Sequence, residues 1–125
     1  MATQLQTLLQ EVNDAFSRGD IDFFAAHCTD DVRWEMVGWE TTEGKRALLE
    51  SMQPSGDPVL PDITLESIIT HGNRAAVVGT MQWTDVTGVA RNYSFCNVYT
   101  MRGFKEPKIR EVKSFFVAVD GQNSG

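Results

Sequence analysis

Cysteine and histidine are scarce in this sequence, and basic residues are outnumbered by acidic ones. The two cysteines, Cys28 and Cys96, form no CxxC pair and have no histidine at ligand spacing, which argues against a zinc site. Both read as reduced, mostly buried small hydrophobes. No apolar run approaches the roughly 18 residues that a bilayer crossing needs, so no membrane partner is expected. Eleven basic residues against 17 acidic leave a net charge of −6, the wrong sign for a protein whose main task is to hold nucleic acid. That balance serves solubility instead. There is no glycine-rich phosphate loop, no ligand cluster and no lysine in a cofactor context, so neither a metal nor an organic cofactor is expected. The opening Met1-Ala2-Thr3-Gln4 lacks the basic start and apolar stretch of a secretory signal, and a cytoplasmic location is the expectation.

What is present suits one small globular domain: 125 residues, 42% of them hydrophobic and 22% charged. No repeat or composition shift divides it. Residues 1–120 read as a single α+β domain and 121–125 as a disordered tail. Leu5, Leu8, Leu9, Val12 and Phe16 recur at helical spacing, which predicts an amphipathic helix of about four turns closed by Arg18-Gly19. Asp20 is placed to cap a second, shorter helix burying Ile21, Phe24 and Cys28. Thr29-Asp30-Asp31 reads as a turn, and Val32, Trp34 and Met36 then alternate with Arg33 and Glu35 as a strand. A third helix is expected from about Glu43 to Met52, followed by a loop marked by Pro54, Gly56, Pro58 and Pro61.

From Ile63 the apolar period becomes two. Residues 63–71, 75–85, 91–102 and 108–119 read as four long strands, with turns at His71-Gly72-Asn73, near Thr87-Gly88, and between Gly103 and Pro107. Short turns make the sheet mostly antiparallel. Helices first and strands afterwards is an α+β order.

On the strand 91–102, alternation puts Tyr93, Phe95, Asn97, Tyr99 and Met101 on one face and Ser94, Cys96, Val98, Thr100 and Arg102 on the other. The aromatic set suits a cavity wall. Asn97 interrupts it, and a buried amide without partners costs roughly 1–3 kcal/mol, so it must bond to protein, water or ligand. One strand earlier the register is open: either Gln82 or Trp83 faces the cavity, and a one-residue slip exchanges them. Glu111 and Lys113 read as a charged pair on an outer sheet face.

The order helix, helix, strand, helix and four antiparallel strands resembles the nuclear transport factor 2-like superfamily, of which SnoaL-like domains are part. FSRGDIDFFAAHCTDDVRWEM is similar to its two-helix opening, GWETTEGKRALLESM to its glycine-started third helix, and YSFCNVYTMRGFKEPKIREVKSFF to its closing hairpin. The resemblance covers most of residues 5–119. It implies a cystatin-like α+β cone, three helices on a curved, mostly antiparallel sheet, with small molecules taken in the mouth. It also implies a homodimer formed through the outer sheet face. The superfamily includes ketosteroid isomerase, limonene epoxide hydrolase and SnoaL-like polyketide cyclases, beside members without catalysis, so function must come from the site.

Against ketosteroid isomerase, the positions of the base, the protonated acid and the helical tyrosine fall on Met36, Asn97 and Val12, none of which performs those roles. No Arg-x-Asp of the epoxide hydrolase kind lies on the expected strands. The catalytic set is therefore unknown, and the candidate ligand-binding residues are Asn97, Tyr93, Phe95, Tyr99, Trp34, Met36, Gln82 and Trp83. Binding of a small hydrophobic molecule, with no assignable reaction, is the leading reading. A lyase, isomerase or cyclase acting on a hydrophobic carbonyl compound is one alternative, and a dimeric interaction module is another.

Overall fold

The computed structural model describes residues 3–51, 61–84, 87–103 and 105–119. The loop expected around Pro54 to Pro58, the end of the third helix at Met52, and the tail 121–125 lie outside them. Among the described residues there are three helices and six strands: α1 (Gln4–Ser17), α2 (Ile21–Ala26), β1 (Cys28–Met36), β2 (Glu40–Glu43), α3 (Lys45–Ser51), β3 (Asp62–His71), β4 (Arg74–Thr84), β5 (Ala90–Arg102) and β6 (Lys108–Ala118).

Local chemistry starts the first two helices. Thr3 and Gln6 form a reciprocal capping box, Gln6 N–H donating to Thr3 Oγ1 at 3.0 Å and Thr3 N–H to Gln6 Oε1 at 2.9 Å. Gly19 takes a positive φ of 73° just past α1, and Asp20 Oδ1 then accepts from Phe23 N–H at 3.1 Å to cap α2. Leu9, Val12 and Ala15 of α1 and Phe24 of α2 are fully buried. Each larger apolar side chain removed from water in this way contributes roughly 1.5–3 kcal/mol.

The sheet order is β2-β1-β6-β5-β4-β3, a single curved mixed sheet. All neighbouring pairs are antiparallel except β1 with β6. That parallel contact corrects one expectation. Thr29-Asp30-Asp31 is not a turn but the opening of β1, because Cys28 already pairs with Ile109, and Ile109 N–H donates to His27 O at 2.7 Å. Cys28 accordingly belongs to β1 and not to α2. Glu43 likewise falls in β2, a short strand absent from the sequence reading, and α3 starts only at Lys45. The four long strands agree with the sequence reading to within a residue at each described end.

Two bulges modify the simple alternation. In β3 the pairing jumps from Leu65↔Gly79 to Ser67↔Val78, leaving Glu66 as the extra residue. Ile63, Leu65 and Ile68 therefore pack against the core while Ile69 is left 60% exposed, although strict alternation would have turned Ile69 inward. In β6 the pairing jumps from Glu111↔Thr100 to Ile109↔Met101, so Arg110 is extra and both Ile109 and Val112 are buried.

The core lies between the helices and the concave face: Leu9, Val12, Phe24, Val32, Leu48, Val77, Phe95, Tyr99, Ile109 and Val112. No described helix is long and apolar enough to cross a membrane. At Gly79 the β3 backbone crosses so closely that a Cβ would overlap Thr64 O and stand 3.0 Å from Phe95 Cζ and 3.2 Å from Leu65 Cα. The Gly79→Ala variant should consequently lose at least about 2 kcal/mol in chemical denaturation, since a backbone atom cannot give way as a side chain does. Wild-type stability in that variant would show that β3 moves freely at its bulge.

Candidate functional site

The pairing β4–β5–β6 decides which side chains share the concave face. Gly79 stands opposite Phe95, Val77 opposite Asn97, Ala75 opposite Tyr99 and Met81 opposite Tyr93. Across β6, Asn97 faces Ser114, Tyr99 faces Val112 and Phe95 faces Phe116. β1 adds Trp34 beside Val112 and Met36 beside Ser114. Tyr93, Phe95, Asn97, Tyr99, Trp34 and Met36 are thus on one face. Trp83 joins them, two residues beyond Met81.

Gln82 does not. It pairs with Asn92 on the opposite face, where its Nε2 donates to Asn92 Oδ1 at 3.2 Å. Placing Gln82 toward the cavity is therefore corrected: the open register resolves in favour of Trp83.

Burial grades along this face. Phe95, Asn97, Tyr99, Val77 and Val112 are buried, whereas Tyr93, Met81, Phe116, Trp34 and Met36 are half-buried and Trp83 is exposed. Aromatic rings line the half-buried end. Phe116 packs edge-on to Tyr93 at 6.2 Å and tilted against Phe95 at 5.8 Å. Trp34 meets Phe16 and Phe24 edge-on at 5.9 and 5.6 Å.

Below the rings sit four buried polar side chains: Asn13, Asn97, Tyr99 and Ser114. Two are anchored. Trp34 Nε1–H donates to Ser114 Oγ at 2.8 Å, and Asn13 Nδ2 donates to Leu9 O at 2.8 Å. The others are not: among the described residues Asn97 Oδ1 and the Tyr99 hydroxyl, like Thr29 Oγ1 in β1, are buried without a hydrogen-bond partner. Complete burial pushes the Tyr99 pKa up to about 12, with the neighbouring Asn13 and Asn97 side chains acting in the opposite direction. Neither neighbour forms a well-shaped hydrogen bond to the hydroxyl. At neutral pH Tyr99 is a neutral O–H, able to donate and to accept but not to act as a base.

Asn13 and Ser114 were missed from the sequence, yet both carry a legible signal. Asn13 stands in the apolar stripe of α1, four residues after Leu9 and three before Phe16, and Ser114 interrupts the row Val112–Phe116. The ionisable candidates lie elsewhere. Glu111 is not paired with Lys113, as the sequence suggested, but with Arg33 of β1 at 3.0 Å, while Lys113 lies 3.9 Å from Glu35. None of the buried residues described is an Asp, Glu, His, Lys or Arg. Among the described residues no three His, Cys, Asp or Glu side chains gather as a metal site. Cys28 is buried, and that burial, only partly offset by Lys45 and Lys108, pushes its thiol up to about 12, which makes it a poor nucleophile.

Helices seated in a curved sheet over a polar-floored aromatic face define an α+β cone of the nuclear transport factor 2-like type. The sequence profile of the SnoaL-like domain matches residues 9–112, and the chain belongs to that family. Solved structures agree on the fold. A nuclear transport factor 2-like protein of unknown function from Burkholderia pseudomallei is 21% identical with a TM-score of 0.78, covering 93% of this chain and 92% of its own. An LEH-like epoxide hydrolase from M. tuberculosis is 17% identical with a TM-score of 0.76, covering 89% and 80%. The epoxide hydrolase/cyclase-like enzyme SalBIII, with a role in pyran ring formation in the polyether salinomycin, is 21% identical with a TM-score of 0.76, covering 89% and 88%. No functionally curated protein matches.

The buried Tyr99 and Cys28 dictate a pH signature. Both have folded-state pKa values above their ordinary 10.0 and 9.0, so above pH 9 the unfolded chain loses protons that the folded chain retains. Between neutrality and about pH 9 the contribution of these two groups should be level, and it should fall from there towards pH 12. Tyr99→Phe should flatten the upper part of that fall and, at pH 7, leave the unfolding free energy within about 1 kcal/mol of wild type, because an unpartnered hydroxyl is lost. A loss of about 3 kcal/mol at pH 7 in urea denaturation would instead reveal a hydroxyl firmly bonded within the protein.

Proposed function

We propose that this protein binds a small hydrophobic molecule bearing a hydroxyl group, with the aromatic end of the concave face around its body and Asn97 and Tyr99 at its polar end. The observation that carries this reading is a pair of buried atoms without a hydrogen-bond partner among the described residues, Asn97 Oδ1 and the Tyr99 hydroxyl, two residues apart on one face of β5. Left unmet, each costs about 1–3 kcal/mol, and a ligand hydroxyl answers both by donating to the amide oxygen and accepting from the phenol. Trp34, Met36, Met81, Tyr93 and Phe116, all half-buried, supply the apolar contact, with Trp83 at the rim.

Binding without turnover is favoured over catalysis because the buried polar side chains described are all neutral. A lyase, isomerase or cyclase needs a group that exchanges a proton near pH 7, and a phenol held near pKa 12 does not. The relatives that are hydrolases or cyclases share the fold with this chain at 17–21% identity, which does not carry their chemistry across.

The test is a tryptophan-fluorescence titration with 2-naphthol and, in parallel, naphthalene. The hydroxyl-bearing probe should bind about tenfold more tightly, the equivalent of one hydrogen-bonded group, and be recovered chemically unchanged. Asn97→Leu and Tyr99→Phe should each erase most of that preference while naphthalene binding persists. Equal affinity for both probes in the wild type would sink the reading, and conversion of a probe would restore the catalytic alternative.

A homodimer through the outer sheet face is proposed alongside. Phe115 and Val117 are 40% and 62% exposed there, Cys96 of β5 is half-buried between Phe115 and Val78, and Ile69 extends the apolar strip. Beside it the Arg33–Glu111 and Glu35–Lys113 pairs carry both charge signs, which a two-fold interface can match with itself. Sedimentation at micromolar concentration should show a species of twice 14.0 kDa, and Val117→Glu should return the monomer. A wild type that sediments only at 14.0 kDa refutes the dimer.

A further inference from the structure

The far end of the sheet, away from the half-buried aromatic rings, has a different chemistry. Four of the chain's basic residues, Arg102, Lys105, Lys108 and Arg110, fall within residues 102–110 against one acidic one, Glu106, in a chain whose overall charge is −6. Arg74 begins β4 at the same end. Two turns meet there, the β3–β4 turn at Gly72-Asn73 and the β5–β6 connection that begins at Gly103. They are fastened together: Met101 N–H donates to Asn73 O at 2.8 Å and Asn73 Nδ2 donates to Met101 O at 3.3 Å.

Between them lies a cavity of about 470 Å³ lined by Gly72, Asn73, Met101, Arg102, Gly103 and Arg110. Two lining residues are glycines at positive φ, 60° at Gly72 and 90° at Gly103, so no side chain covers the backbone there. Arg110 is the extra residue of the β6 bulge, and bulges redirect a side chain away from the strand's alternation. Arg110 lines this cavity and has neither an ion-pair nor a hydrogen-bond partner among the described residues. Among the described residues Arg102 holds the exposed Asp31 carboxylate, at 3.3 Å, a surface pair of little worth that a stronger anion displaces readily.

We infer that this cavity is a binding site for a small multiply charged oxyanion, a phosphorylated or polycarboxylate metabolite, held by Arg102 and Arg110. Guanidinium forks match phosphate and carboxylate oxygens two at a time, and paired with them form the strongest class of hydrogen bond. The volume falls within the range of small-molecule pockets. The inference does not depend on the aromatic face, which lies at the other end of the same strands.

The experiment titrates the whole protein with pyrophosphate and, separately, citrate, at constant ionic strength set with chloride, and follows the backbone amides of Gly72, Asn73 and Gly103 by NMR. At least one of the two should give saturable shifts at these amides with a Kd at or below about 1 mM. Preference for pyrophosphate identifies a phosphoryl ligand, and preference for citrate a carboxylate one. Arg110→Gln and Arg102→Gln should each weaken binding about tenfold, while Arg46→Gln, an exposed arginine on α3, should change nothing. Shifts that grow without saturating, or an Arg46→Gln effect equal to that of Arg110→Gln, would show mere charge screening and overturn the site.

Discussion

The parallel pairing of β1 with β6 is the contact on which the rest of this fold depends. It joins a strand that follows the first two helices to the last strand of the chain, with Trp34 and Ser114 bonded across 80 residues of sequence. Closing so long a loop is entropically unfavourable, and the return has to come from many small contacts made together. Backbone bonds hold both ends of the pairing, Ile109 N–H to His27 O and Val37 N–H to Ser114 O. On the outer side the Arg33–Glu111 ion pair bridges the two strands, and on the inner side Trp34 wedges between Phe16, Phe24 and the sheet. Without this pairing the concave face would lack Trp34 and Met36.

Bulges then do what regular strands cannot. The extra residue in β3 reverses the phase of the strand, so that Ile68 rather than Ile69 meets the core, and a helical side chain is fitted to the altered backbone: Gln6 Nε2 donates to Ile68 O at 3.1 Å. The extra residue in β6 lets Ile109 and Val112 both be buried while freeing Arg110 from the ladder. Each bulge thus solves a packing problem and re-aims a side chain at once. The two ends of the sheet acquire different characters in consequence, one aromatic with a neutral polar floor, the other cationic.

The concave face joins apolar walls to polar groups that do not ionise near neutrality. Asn13, Asn97, Tyr99 and Ser114 can orient a ligand oxygen, yet none can cycle a proton at physiological pH. Related folds carry hydrolases and cyclases, and the difference between such a protein and a binder lies in a few side chains on a shared frame. In this chain the middle of the concave face holds Met36 and Asn97, a thioether and a neutral amide.

Much of this was legible in the residues alone. The caps at Asp20 and Gly19, the alternation that puts Tyr93, Phe95, Asn97 and Tyr99 on one face, and the four long strands all arise from local rules that a short window of sequence contains. Asn97 stood out because a lone amide in an aromatic row is costly wherever the chain goes. Tertiary structure alone decided the partners: that β1 runs parallel to β6 and begins at Cys28, that Glu111 meets Arg33 instead of Lys113, that Trp83 and not Gln82 faces inward, and that Arg110 leaves the ladder. The reason is physical. Propensity, capping and alternation are properties of neighbours along the chain, whereas register, bulges and the meeting of residues 80 apart are set only when distant strands pack, and no local window records that packing.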